Sequence, residues 1–133
     1  MSRPEASPLY VFVYGTLRRG GSNDINRLAP PPRWIGEAEV AGTMYDLRHY
    51  PGVVLGGPRR VKGEVYAVTP PLLAVLDEIE EVHPQQTGEY VRRELPVDVA
   101  GKVLPCLLYE IDPGRVAGRP VIAGGDWIAH VAR

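Results

Sequence analysis

The stretch Leu9-Tyr10-Val11-Phe12-Val13-Tyr14-Gly15-Thr16-Leu17-Arg18-Arg19-Gly20-Gly21 joins an apolar segment directly to a glycine-rich one. Its first half is rich in β-branched and aromatic residues, which is typical of a strand buried on both faces. Its second half changes abruptly to Gly, Thr and Arg. A tight glycine loop after such a strand can direct successive backbone N–H groups into one concavity that suits a carboxylate or phosphate. An ordinary strand followed by a turn has the same spacing, so this pattern alone leaves both interpretations open.

Length and charge restrict the class of protein. The chain has 133 residues, which predicts one domain over residues 9–133, and the short polar start predicts a disordered tail over residues 1–8. There is no signal-peptide core and no apolar run of roughly 18 residues, so we expect a cytoplasmic protein. A net charge of −1 gives no reason to expect a nucleic acid or a membrane surface as a partner. The single cysteine, Cys106, excludes an internal disulfide, and its apolar strand context predicts a core position.

Strands outnumber helices in the expected order of elements. Residues 22–28 predict one irregular helical turn, and residues 34–47 predict a bent or bulged strand because Gly36 and Gly42 interrupt it. Two separate strands are expected at residues 53–55 and 61–68, and a hairpin at residues 90–99 and 103–111. A short element is expected around Trp127. Many short strands with one clear helix predict a small, partly closed mixed barrel.

The clear helix contains an anomalous carboxylate. Thr69 is suited to cap this helix, and the sequence predicts that it ends near Val82, before Pro84. At about 100° per residue, Asp77 falls outside the apolar arc and Glu80 falls inside it. A carboxylate directed toward apolar surroundings has a raised pKa, which suits an acid–base catalyst. Alternatively, the helix frays before Glu80 and the side chain reaches solvent.

Other candidates for chemistry are weaker. His49, His83 and His130 show no metal-ligand spacing, so we predict no metal site. The sequence has no Gly-x-Ser-x-Gly elbow, and no Gly-Lys-Ser/Thr follows Gly15 as a P-loop would require. Arg18 and Arg19 are either anion ligands or, as is usual for loop arginines, solvated. Glu89 is either a second acid or a solvated residue at a strand edge.

Five short motifs, in order, resemble the γ-glutamylcyclotransferase-like superfamily, in particular its AIG2-like and bacterial γ-glutamylamine cyclotransferase-like branch. The first is the loop that begins Tyr14-Gly15-Thr16-Leu17-Arg18, and the likeness runs from about Tyr10 to Trp127. The other four are Gly63-Glu64-Val65-Tyr66-Ala67-Val68, Leu76-Asp77-Glu78-Ile79-Glu80, Tyr90-Val91-Arg92 and Gly125-Asp126-Trp127.

The resemblance implies an α+β fold, a small mixed β-barrel with flanking helices. It implies that the amides of Tyr14, Gly15, Thr16 and Leu17 hold the α-carboxylate of a small γ-glutamyl substrate, and that Tyr90 lines the pocket. The catalytic glutamate of the family falls on Glu80, with Glu89 as the alternative acid.

The implied reaction is intramolecular. The α-amine of a γ-glutamyl amide attacks its own γ-carbonyl and expels the amine, giving 5-oxoproline without a metal or organic cofactor. Tyr14 or Tyr90 is then expected to donate a hydrogen bond near the developing oxyanion. Two other functions stay open, a non-catalytic module that binds a small anionic metabolite and an amide hydrolase that releases glutamate. The acceptor side of the substrate and the oligomeric state are also left open.

Overall fold

A computed structural model of the protein describes residues 9–80 and 89–132. The expected tail over residues 1–8 lies outside this range. The strands are β1 (Leu9–Val13), β2 (Arg33–Asp46), β3 (Pro51–Val68), β4 (Tyr90–Val99) and β5 (Lys102–Ile111). The helices are α1 (Pro70–Ile79) and α2 (Trp127–Val131), and 3-10 turns occur at Ile25–Arg27 and Pro113–Arg115. Within the two described ranges, neither helix has the length and apolar character that crossing a membrane requires.

The five strands form one mixed sheet with β1 at its centre. The strand order is β2-β3-β1-β5-β4, in which β1 runs parallel to β5 and the other neighbours are antiparallel. This central position explains why Val11, Phe12 and Val13 are at most 2% exposed. The prediction of a strand buried on both faces is therefore confirmed.

The sheet is curved, and its two edge strands approach each other. A Cβ atom on Gly36 in β2 would lie 2.7 Å from Cγ1 of Val99 in β4. The residues that the structure describes show no β2–β4 ladder, so the sheet is barrel-like without closing. The predicted α+β fold with a mixed sheet and flanking helices is confirmed.

Alternating residues of β1 contribute to two cores. Val11 and Val13 belong to the core that includes Leu72 and Leu76 of α1. Phe12 belongs to the other core, which includes Trp127 of α2. The period-2 alternation of a strand thus places α1 and α2 against opposite faces of the sheet.

The prediction of two strands at residues 53–55 and 61–68 is wrong, because β3 is continuous over 18 residues. Gly56 and Gly57 adopt φ of 96° and 83°. The β2–β3 pairing passes from Ala41 opposite Arg60 to Gly42 opposite Leu55. The glycines therefore begin a bulge, in which residues 56–59 leave the β2–β3 ladder before the pairing resumes at Arg60.

The predicted hairpin and helix start are confirmed. Val99 pairs with Lys102 across Ala100 and Gly101, whose φ angles of 53° and 86° are those of a type I′ turn. The Oγ1 atom of Thr69 accepts a hydrogen bond from the Leu72 N–H at 3.3 Å and caps α1.

The end of α1 differs from the prediction. Among the described residues the helix ends at Ile79, and Glu80 is its C-cap, with its N–H donating to the Leu76 carbonyl at 2.9 Å. The predicted end at Val82 lies outside the described residues. Glu80 thus marks the point where the chain leaves the helix.

Candidate active site

A cavity of about 350 Å³ lies beside the end of β1. Its walls come from the loop after β1, the start of β3, the C-terminal end of α1, the start of β4, and β5. The site residues implied by the family resemblance all line it, namely Tyr14, Gly15, Thr16, Leu17, Glu80, Glu89 and Tyr90. The fold therefore brings together residues that are up to 76 positions apart in the chain.

The absence of a side chain at Gly15 determines how the loop lies against β3. A Cβ atom there would be 2.7 Å from Cγ and 2.8 Å from Cδ of Pro51, which is too close for any ordinary contact. The Arg18 N–H donates to the Gly15 carbonyl at 3.0 Å and closes a turn. Glycine is thus needed here for close approach, in a loop that the next turn holds in place.

The loop presents three consecutive amides without protein acceptors. Across residues 9–80 and 89–132, the N–H groups of Gly15, Thr16 and Leu17 donate to no protein atom. The Gly15 carbonyl accepts from the Arg18 N–H at 3.0 Å and the Thr16 carbonyl accepts from the Asn23 N–H at 2.9 Å, which orients the peptide planes that carry the Thr16 and Leu17 N–H groups. Because buried amides normally have a partner, consecutive unpaired ones at a cavity wall form a site suited to an anion.

Arg18 is neither solvated nor a cavity residue, so neither sequence-based interpretation of it holds. Its side chain is 11% exposed, and its Nε donates to Glu64 Oε2 at 3.1 Å while Nη1 donates to Asp126 Oδ1 at 2.8 Å. The other Glu64 oxygen accepts from the Arg19 N–H at 2.9 Å and from the Tyr66 hydroxyl at 2.9 Å. Glu64 therefore anchors the end of the loop to β3. The Arg19 guanidinium lies over an indole ring outside the cavity, 4.3 Å from its centroid.

Glu80 is half-buried and lies close to three cavity tyrosines. Burial raises the pKa of Tyr14, Tyr90 and Tyr109 well above the usual range, and the negative charge of Glu80 raises each of them further. Although α1 ends before Glu80, the side chain lines the cavity. The carboxylate and the loop amides thus border the same space.

The tyrosine hydroxyl hydrogens are already donated within the protein. Tyr14 donates to the Tyr109 carbonyl at 2.6 Å, and Tyr90 donates to the Pro51 carbonyl at 2.8 Å. Tyr109 donates to Asp77 Oδ1 at 2.7 Å. The expectation that Tyr14 or Tyr90 donates to an oxyanion is therefore contradicted, because each hydroxyl has one hydrogen and it is in use.

Asp77, which helical periodicity placed outside the apolar arc, is buried. It forms an ion pair with Arg92 of β4 and accepts the Tyr109 hydroxyl of β5. These two partners compensate the burial of its charge and fix the last turn of α1, which precedes Glu80, against the sheet. The periodicity of α1 contains no information about partners on other strands. The signal that could have found this pair is the Tyr90-Val91-Arg92 motif itself.

Glu89 is the second carboxylate of the cavity. The Tyr50 hydroxyl donates to its Oε2 at 2.5 Å, and the Tyr50 ring lies 6.4 Å from that of Tyr90. His49 and Asn23 also line the cavity, and no sequence motif pointed to Tyr50 or to either of them. Glu89 therefore belongs to the cavity and stays the alternative acid.

The remaining candidates lie away from the cavity or outside the described residues. Cys106 is a core residue, as predicted, and burial raises its pKa to about 11. His130 contacts Asp46 at 2.9 Å, and His83 lies outside the described residues. In the described ranges, no three His, Cys, Asp or Glu side chains are grouped so as to hold a metal ion.

Comparison with known proteins gives one family. Residues 11–129 match the sequence model of the family described as gamma-glutamyl cyclotransferase, AIG2-like. The gamma-glutamylcyclotransferase family protein YtfP of Escherichia coli K12 is 30% identical over 125 residues, which cover 89% of this chain and 95% of that protein. A Vibrio cholerae relative that also carries the gamma-glutamylcyclotransferase name is 45% identical over 74 residues. That match covers 54% of this chain and 62% of the relative.

The solved structures agree on the fold. An AIG2-like protein from Mus musculus superimposes with a TM-score of 0.69 at 25% sequence identity, covering 86% of each chain. The likeness therefore extends over most of both chains.

Proposed function

The chain belongs to the gamma-glutamyl cyclotransferase, AIG2-like family, and we propose that it releases 5-oxoproline and a free amine or amino acid from a γ-glutamyl amide. One observation carries the proposal. The backbone N–H groups of Gly15, Thr16 and Leu17, which have no acceptor among the described residues, border one cavity of about 350 Å³ together with the Glu80 carboxylate. The α-carbon of a γ-glutamyl group carries both a carboxylate and an ammonium group, and this cavity offers a complementary group for each.

The loop amides would hold the substrate. The α-carboxylate accepts hydrogen bonds from the N–H groups of Gly15, Thr16 and Leu17, with Tyr14 and Tyr90 on the neighbouring wall. Holding the chain folded brings the α-nitrogen close to the γ-carbonyl carbon. Because the reacting groups belong to one molecule, this positioning supplies much of the rate acceleration.

Glu80 would move the protons. The α-ammonium loses one hydrogen to Glu80, and the freed amine attacks the γ-carbonyl carbon and forms the five-membered ring. Glu80 then gives that hydrogen to the leaving nitrogen as the carbon–nitrogen bond of the amide breaks. After ring closure the ring nitrogen loses a second proton, which also ends on the leaving amine. The products are therefore a lactam and an ammonium. The reaction balances without an oxidant, a reductant or an organic cofactor.

The small γ-glutamyl compound is the sole partner in this proposal, and the cytoplasm is its compartment. Glu89 is the alternative acid, since it lines the same cavity and accepts the Tyr50 hydroxyl. A module that binds a small anionic metabolite without turnover would use the same loop amides.

A product analysis tests the proposal. The purified protein is incubated with γ-glutamyl amino acids, γ-glutamyl-ε-lysine, simple γ-glutamyl amines and glutathione, and the products are identified by mass spectrometry. The proposal predicts 5-oxoproline from at least one of these compounds. Release of glutamate would show an amide hydrolase, and binding of a γ-glutamyl amide without any product would show a binding module.

A further inference from the structure

Two tyrosines of the cavity, Tyr14 and Tyr90, have hydroxyl oxygens that can act toward a ligand only as acceptors. We infer that these oxygens, together with Glu80, bind the α-ammonium group of the substrate. This inference rests on the proposed function and adds a recognition element to it. It assigns to the two tyrosines a role opposite to that of an oxyanion donor.

The hydrogen bonds locate the two oxygens and determine their polarity. The Tyr14 hydrogen goes to the Tyr109 carbonyl at 2.6 Å and the Tyr90 hydrogen goes to the Pro51 carbonyl at 2.8 Å. Tyr14, Tyr90, Tyr109 and Pro51 all line the cavity, and Tyr14 and Glu80 both act electrostatically on the Tyr90 hydroxyl, so the three groups lie close together. A phenol has one hydrogen and accepts through its lone pairs, so only the lone pairs remain for a ligand.

The two hydroxyls keep their hydrogens at any physiological pH. Burial raises the pKa of both, and the charge of Glu80 raises it further. A hydrogen bond from the Val53 backbone N–H lowers the pKa of Tyr14. The same bond uses one of the lone pairs of the Tyr14 hydroxyl oxygen. Tyr90 is therefore the more open acceptor of the two.

The number and charge of the acceptors match an ammonium group. Three N–H hydrogens meet three acceptors, Tyr14 Oη, Tyr90 Oη and the Glu80 carboxylate, and the negative charge of Glu80 complements the positive one. Among the described lining residues there is no Lys or Arg to repel a cation. When Glu80 removes one proton, the two hydrogens that remain on the nitrogen keep the tyrosine oxygens as their acceptors.

Paired ligands test this recognition. The parent protein is Glu80→Gln, which the proposed mechanism makes unable to turn over substrate. Calorimetry gives its Kd for γ-glutamyl methylamide and for the monomethylamide of glutaric acid, which lacks the ammonium group. Both are then measured with Tyr14→Phe and Tyr90→Phe added singly. Tyr66→Phe, which removes a buried hydroxyl outside the cavity, is the matched control.

We expect Tyr90→Phe to weaken binding of the ammonium ligand by about tenfold or more, and Tyr14→Phe by less, since a hydrogen bond to a charged group is lost. Binding of the des-amino ligand should change by less than about twofold. Tyr66→Phe should leave the ratio of the two Kd values unchanged.

Equal weakening for both ligands would overturn the inference and assign the tyrosines a structural role. No weakening for either would overturn it as well. If the parent bound neither ligand, the proposed function itself would fail, and that outcome is distinct from binding without discrimination.

Discussion

Replacing Glu64 by leucine should cost the protein several kcal/mol of stability. The side chain of Glu64 is 6% exposed and that of Arg18 is 11% exposed, so the leucine variant leaves a buried guanidinium with one carboxylate partner in place of two. It also removes the acceptor of the Arg19 N–H and of the Tyr66 hydroxyl. Breaking a buried ion pair costs about 3–5 kcal/mol. Because Asp126 still contacts Arg18 at 2.8 Å, we expect about 3 kcal/mol.

Urea denaturation followed by tryptophan fluorescence measures this loss. The control is Glu39→Leu, which removes the same side chain from an exposed pair with Arg60 at 3.7 Å. Exposed pairs contribute about 0–1 kcal/mol, so the control should lose less than about 1 kcal/mol. Equal losses for Glu64→Leu and Glu39→Leu would refute the reasoning that the Glu64 network is buried and anchors the loop.

Three further predictions concern the loop, acid stability and the thiol. Gly15→Ala places a Cβ atom 2.7 Å from the proline that begins β3, so it should cost about 1–3 kcal/mol in urea denaturation and raise KM. Gly124→Ala, where a Cβ atom meets nothing within 4 Å, should do neither, and equal effects would contradict the steric argument. A hydrogen bond from His130 lowers the pKa of Asp46 in the folded protein. The ionised carboxylate therefore stabilises the fold at pH values above about 3.9, which is the pKa of Asp in an unfolded chain. That contribution is lost as the pH falls through the lower folded value, so Asp46→Asn should flatten the acid limb of a Tm–pH curve; an unchanged limb would refute this. Burial raises the pKa of Cys106 to about 11, so a thiol reagent at pH 8 should label the folded protein far more slowly than the urea-unfolded one. Equal labelling rates would contradict the buried position.

Local patterns were enough to predict the central strand, the cap of α1 and the hairpin. Each depends on neighbouring residues, as the apolar run of β1 and the Ala100-Gly101 turn show. The continuity of β3 was missed because Gly56 and Gly57 have the same sequence signature in a bulge as in a turn. The difference lies in the pairing partner, β2, which the local sequence does not contain.

In the site, too, residues that depend on local sequence were predicted and residues that depend on distant partners were not. Helical periodicity makes Glu80 a candidate and the family resemblance points to the same residue, which lines the cavity with the loop amides. Asp77, on the same helix, was assigned to the solvent side although it is buried, because its partners Arg92 and Tyr109 lie on β4 and β5. Arg18 was misjudged for the same reason, since its burial depends on carboxylates that are 46 and 108 positions away. Polar groups become buried when distant partners compensate them, and periodicity cannot reveal such partners.

The rate of 5-oxoproline release by Glu80→Gln is the most direct test of the account. On the best substrate, kcat/KM is measured for the wild type, Glu80→Gln and Glu89→Gln, with equal Tm values showing that all three are folded. We predict that Glu80→Gln lowers kcat/KM by about 10²–10⁴-fold, which is the usual contribution of a general acid–base group. Glu89→Gln should retain activity within about tenfold of the wild type. Loss of activity in Glu89→Gln with retention in Glu80→Gln would contradict the assignment of the proton transfers to Glu80.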